Sequence, residues 1–215
     1  MLFLKLLLFF FTILTSFYLN SQSVELRNEF KVTSKFYKDK NFIDALRSND
    51  KALELSINEF GKNHLTTATL LENKGRILIK VGKFYDAELI LKDAILVRRD
   101  LIRENHPDIA EALNYLSLSL RFQDKLQEAI LIHNEVLTMM GSIIANNPGQ
   151  ISELTRRSAL YRARAYETKG LILLKENNIE DAKGNFRIAL KIFERTLGKN
   201  KTELNMLKIK LNNLN

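Results

Sequence analysis

Gly82 to Ala94 reads GKFYDAELILKDA, and the chain says nearly the same thing four times. Ala45, Ala87 and Ala129 lie 42 residues apart, in the contexts NFIDA, KFYDA and KLQEA. A fourth copy, NIEDA, ends at Ala182, 53 residues on, so the third spacing carries 11 more residues. Self-similarity at such a period marks a repeat array, whose units bury their apolar faces only by stacking on one another. Each copy opens the second helix of a helical hairpin, and Gly82 makes the turn before it.

Working outward, the composition agrees. Leu, Ala, Glu, Lys and Arg dominate, only Pro107 and Pro148 interrupt the chain, and no β-branched run alternates with polar residues. That predicts an all-α chain, and the repeat makes it one quasi-linear array. Cysteine is absent, which excludes disulfides, thiolate metal sites and cysteine nucleophiles. The net charge is +8, but the basic residues are spread over most helices, so nucleic acid is not an expected partner.

Residues 1–21 read as a signal peptide or an uncleaved anchor. Lys5 gives a positive start, Leu6 to Leu19 (LLLFFFTILTSFYL) is apolar, and Asn20-Ser21-Gln22-Ser23 is small and polar. A membrane span usually needs about 20 apolar residues, more than this run has. The expected location is therefore the periplasm, cell surface or medium, with membrane attachment only if the leader is retained. Hairpins follow over residues 24–62, 63–105, 106–148 and 149–200. The 11 added residues fall between Thr138 and Ala163, where roughly three turns of extra helix would absorb them. Residues 201–215 close the array: Leu204, Leu207, Leu211 and Leu214 form one apolar stripe, Thr202 caps the helix, and exposed apolar residues there could support a dimer.

Small residues recur where two helices must approach. Gly75 and Gly170 each precede a register alanine by 12 residues, Leu91 and Phe186 follow it by four, and Ala94 and Ala189 by seven. Gly inside a helix costs about 1 kcal/mol relative to Ala, so its recurrence implies that a Cβ would clash. With GKNH at Gly61–His64, NHPDIAEALNYL at Asn105–Leu116 and LGKN at Leu197–Asn200, the chain resembles tetratricopeptide repeat proteins of the kinesin-light-chain type. The first copy has Thr33 at the small position, and the third has Ser117 there with His133 at the bulky one.

The resemblance implies a right-handed α-solenoid with a groove, lined by the first helix of each repeat, for a peptide or partner helix; neither catalysis nor a cofactor is expected. Family members present an asparagine ladder to the bound backbone; here Asn73 falls at that rung, with Lys31, Tyr115 and Thr168 elsewhere and Asn114 one residue off. The two-lysine clamp of some members is not reproduced. The groove candidates are Asn73, Arg76, Asn114, Tyr115 and Arg121, each also readable as a solvated helix residue. Arg157 and Arg164, with Tyr161, could form a basic face for an anionic partner. His64 and His106 repeat because the loops repeat; about 10 Å apart, they suit loop capping rather than one zinc. His133 is expected packed or half-exposed. Asn200-Lys201-Thr202 is a formal glycosylation acceptor. No catalytic motif was found: there is no phosphate-cradling glycine loop, His-Glu-x-x-His or Gly-x-Ser-x-Gly.

Overall fold

The computed structural model describes residues 24–146, 153–197 and 202–214. The leader, the Asn147-Pro148-Gly149 turn and the Asn200-Lys201 acceptor lie outside them. The described chain is helical throughout. Helix α1 covers 24–38. It is followed by α2 (Phe42–Phe60), α3 (Leu65–Lys80), α4 (Phe84–Leu101), α5 (Pro107–Phe122), α6 (Leu126–Ala145), α7 (Glu153–Lys175), α8 (Ile179–Leu197) and α9 (Thr202–Asn212). Consecutive helices pack antiparallel-fashion as hairpins, and α3 also packs on α5 and α5 on α7. The first helices thus form one closely spaced wall, which makes it the concave one.

Each hairpin turns in the same way. Lys40, Gly82, Asp124 and Asn177 all have positive φ, between 59° and 79°, and each stands five residues before its register alanine. The next residue's N–H reaches back across the turn: Asn41 to Phe36 O, Lys83 to Leu78 O, Lys125 to Leu120 O and Asn178 to Leu173 O. Paired with the bond from the positive-φ residue itself to the carbonyl three residues back, this is the Schellman closure that satisfies the last carbonyls of a helix. Between hairpins, His64 and His106 cap the following helix: their Nδ1 atoms accept from Thr66 N at 3.2 Å and Asp108 N at 3.1 Å. Pro107 sits at the first turn of α5, where its missing N–H is harmless.

The register alanines 45, 87, 129 and 182 are fully buried. Facing them is a set of matched small and large residues. A Cβ on Gly75 would lie 2.5 Å from Leu91 Cγ, and one on Gly170 would lie 2.7 Å from Phe186 Cε1. In the third repeat Ser117 takes the glycine position and bonds the buried His133 Nε2 at 2.5 Å. In the first, Thr33 bonds back to Glu29 O, and the bulky position is the buried Asn49, whose Nδ2 donates to Leu70 O at 3.0 Å. His133 is thus wholly buried, the packed alternative of the two expected from sequence.

The added length before the fourth register alanine is distributed. Helix α7 has 23 residues against 16 in α3 and in α5, about two turns more, and the remainder lies in α6 and the connection. Helix α6 is, among the described residues, the one helix long and apolar enough to cross a membrane. It is instead packed between α5 and α7 through Ala129, His133, Val136, Met139 and Met140. Helix α9 closes the last hairpin, placing Leu204 and Leu207 in a cluster with Ala182, Phe186 and Phe193.

Candidate functional site

The concave wall carries two clefts of about 190 Å³ each, one between α1 and α3 and one between α5 and α7. Thr33, Ser34, Tyr37, Lys38, Asn73, Arg76 and Ile77 line the first. Glu111, Asn114, Tyr115, Leu118, Tyr161, Arg164 and Thr168 line the second. Asn73, Tyr115 and Thr168 share one register, and Ser34, Arg76 and Leu118 another, so each cleft is built from the same helical face.

Arg76 joins the two. Its guanidinium carbon lies 5.4 Å from the Tyr37 ring centre and 5.0 Å from that of Tyr115. Asn73 Oδ1 accepts from Arg76 Nη1 at 3.4 Å, while the buried Arg76 Nε has no protein partner. Such cation–π contacts hold a cation on the groove floor while leaving its edge able to donate. Asn114 donates to Ala110 O of its own helix at 2.9 Å, and its buried Oδ1 is unpartnered. A peptide N–H is one group that could satisfy it.

The other candidates separate from this set. Arg121 lines neither cleft; it lies over the Phe122 ring at 5.0 Å, and burial lowers its pKa against the pull of Glu167. Arg157 is engaged by Asp108 at 2.5 Å and Glu111 at 3.8 Å, so its charge braces α7 against α5. Arg164 is exposed, 6.0 Å from the Tyr161 ring, and of the two arginines it is the one that lines a cleft.

Sequence reasoning missed a polar chain beneath the groove. Glu72 and Arg98 pair at 2.8 Å with both side chains nearly buried. Arg98 also reaches Asp108 at 3.3 Å, which holds Arg157. Glu111 takes Arg157 and the Tyr161 hydroxyl. Helices from three successive repeats are thereby tied through alternating charges. Burial drives the Glu72 carboxyl up to about 7, against the opposing pull of Arg98. Tyr161 is raised out of its ordinary range, by burial first and then by the negative field of Glu111. The recurring acid-and-arginine composition was visible, but no local pattern links positions 72, 98, 108 and 157. Tyr37 was also missed, because α1 departs furthest from the repeat consensus.

Comparison with known proteins agrees with this fold. The Tetratricopeptide repeat family model matches residues 66–142. No curated protein matches the chain in sequence. Among solved structures, BtubC (BKLC) from P. vanneervenii is similar with a TM-score of 0.67 at 15% identity, over 91% of this chain and 81% of that one. The kinesin light chain TPR-like repeats of Podosopora anserina give a TM-score of 0.62 at 14% identity, over 88% of this chain and 84% of theirs. At these identities the likeness is one of fold alone: an all-helical array of stacked hairpins.

Proposed function

We propose that this tetratricopeptide-repeat array, of the kinesin-light-chain-like kind, is an exported, non-enzymatic scaffold that holds an extended segment of a partner protein along its concave wall. The observation that carries the reading is the pair of clefts at one register, joined by Arg76. Asn73, Asn114 and Tyr115 supply donors and acceptors for a peptide backbone, and Arg76 and Arg164 favour carboxylates over bases in the segment. Stacked first helices preorganise these groups, so binding orders the partner alone.

The test is site-specific photocrosslinking in the native host. A photoreactive residue replacing Asn73 or Tyr115 should give one shared adduct, and the same residue at Leu131, which is exposed on α6, should not give it. Equal crosslinking from all three positions would remove the groove from the mechanism.

A second reading, of a membrane-held adaptor, has its own supporting observation. Lys5 precedes the apolar run, while Arg27, Lys31, Lys35 and Lys38 follow it closely. An uncleaved segment with this balance leaves its cation-rich side, and so the array, in the cytoplasm. Sequencing the protein's N-terminus after cell fractionation separates the two: loss of residues 1–21 means export, retention in the membrane means the adaptor.

A further inference from the structure

We propose that the outer face of α1 is a docking surface for an anionic lipid bilayer, on which the array stands by its N-terminal end. The inference rests on the membrane-held reading and adds the contact that would orient the array there.

Helix α1 carries Arg27, Lys31 and Lys35 at spacings of four residues, all exposed, running from the groove rim at Lys31 to the terminal face at Lys35; Lys38, also exposed, lines the first cleft. That spacing places the three along one side of a helix. The acids of α1 are turned away from it. Glu25 and Glu29 both bind Lys51 of α2, at 2.9 and 2.8 Å, and Glu29 also takes the Ser48 hydroxyl at 2.7 Å. Lys31 and Lys35 pair with no acid among the described residues. Val24 and Phe30 are exposed beside the row. The side is therefore single-signed, with apolar groups at hand for the headgroup boundary.

Its place in the array also matters. Asn28 and Lys35 stand where later repeats have Leu70, Ala112 and Ala165, and Ile77, Ser119 and Ile172, all of them buried. This is thus the array's terminal face. A terminal face must be polar to keep an array soluble, but it need not carry one sign of charge. At the other end Asn205, Asn212 and Asn213 are exposed on and after α9, so polarity there comes without excess charge. The second argument is continuity: Leu19 ends the apolar run five residues before Val24. A bilayer holding that run lies within reach of α1, and basic residues next to a membrane segment are attracted by anionic headgroups.

The chain has no cysteine, so one introduced cysteine can be labelled uniquely. Full-length protein with Asn28→Cys carries a fluorophore and is reconstituted into zwitterionic vesicles or vesicles containing an anionic lipid, each with a headgroup quencher. Co-sedimentation reports whether the leader holds the chain in either vesicle; quenching reports docking of α1. Quenching should appear with anionic lipid, reverse in high salt, and be absent from the same label at Asn213→Cys. The double variant Lys31→Gln, Lys35→Gln should lower the docked-to-undocked ratio by about thirtyfold. Co-sedimentation with quenching that ignores lipid charge, or that persists unchanged in the double variant, would overturn the docking surface while leaving the anchor intact. No co-sedimentation at all would overturn both. Quenching lost on adding a soluble polyanion but insensitive to lipid charge would assign the face to another partner and also overturn the proposal.

Discussion

At the scale of single residues, the four turns show how one backbone solution is met by unequal side chains. Gly82 adopts its positive φ without strain, and Asp124 and Asn177 are short polar residues that tolerate it; Lys40 is a long one held at φ 59°. A left-handed conformation costs an ordinary residue about 1–2 kcal/mol, partly offset by the entropy a glycine loses on folding. Lys40→Gly should therefore stabilise the protein by about 1 kcal/mol, raising Tm by roughly 3 °C. A urea titration checks this, and a lowered midpoint would mean that Lys40 makes compensating contacts through its stem. The same scale shows what the sequence discloses and what it hides. Gly75 and Gly170, paired with Leu91 and Phe186, were legible because a helical glycine is costly and its recurrence needs a reason. Thr33 with Asn49, and Ser117 with His133, read as lapses in the pattern. They are joint replacements, in which a slightly larger residue faces a polar one and hydrogen bonds replace some of the apolar contact. The spacing from Ala45 puts Asn49 at the bulky position, but its burial was not legible, since asparagine is usually a surface residue.

At the scale of helices, the α5–α6 pair is the hairpin most exposed to acid. His133 is enclosed without a partner for Nδ1, and burial, aided by the positive fields of Arg121 and Lys169, lowers its pKa to about 3. The folded state refuses a proton that the unfolded chain accepts near pH 6.5. The stabilisation is thus complete above that pH and is lost as pH falls from 6.5 towards 3. Ser117→Gly with His133→Leu recreates the Gly75–Leu91 arrangement and should flatten this loss relative to the parent, with Glu72 common to both proteins. Urea midpoints at pH 7 and pH 4 make the comparison; parallel slopes would show that His133 does not titrate on unfolding. Helix lengths were partly legible. The period fixes how many residues are inserted, but not how they divide between α6, the connection and α7. That division depends on contacts such as Arg157 with Asp108 and Tyr161 with Glu111, which reward a longer α7 from residues some fifty positions away.

At the scale of the whole array, stability is a sum of hairpins and the interfaces between neighbours, so the two ends are governed by what closes them. Leu207 is fully buried in the cluster that α9 forms with α8. Leu207→Ala should cost about 2–5 kcal/mol, confined to the C-terminal end. Amide hydrogen exchange should speed up in α8 and α9 and stay unchanged in α3 and α4; uniform acceleration would show that the array unfolds as one unit. The architecture was legible from four registered alanines, and their register is what puts Asn73, Arg76, Asn114 and Tyr115 on the face of the first helices where the two clefts lie. The joining role of Arg76 was not legible, since Tyr37 and Tyr115 come to it from different repeats. The packing order has a further consequence, in time. Helices here pack chiefly on their chain neighbours or on the next helix but one, and contacts so close along the chain are quick to find. Each hairpin can assemble as soon as its own residues are free to fold, and every later one meets a template already in place.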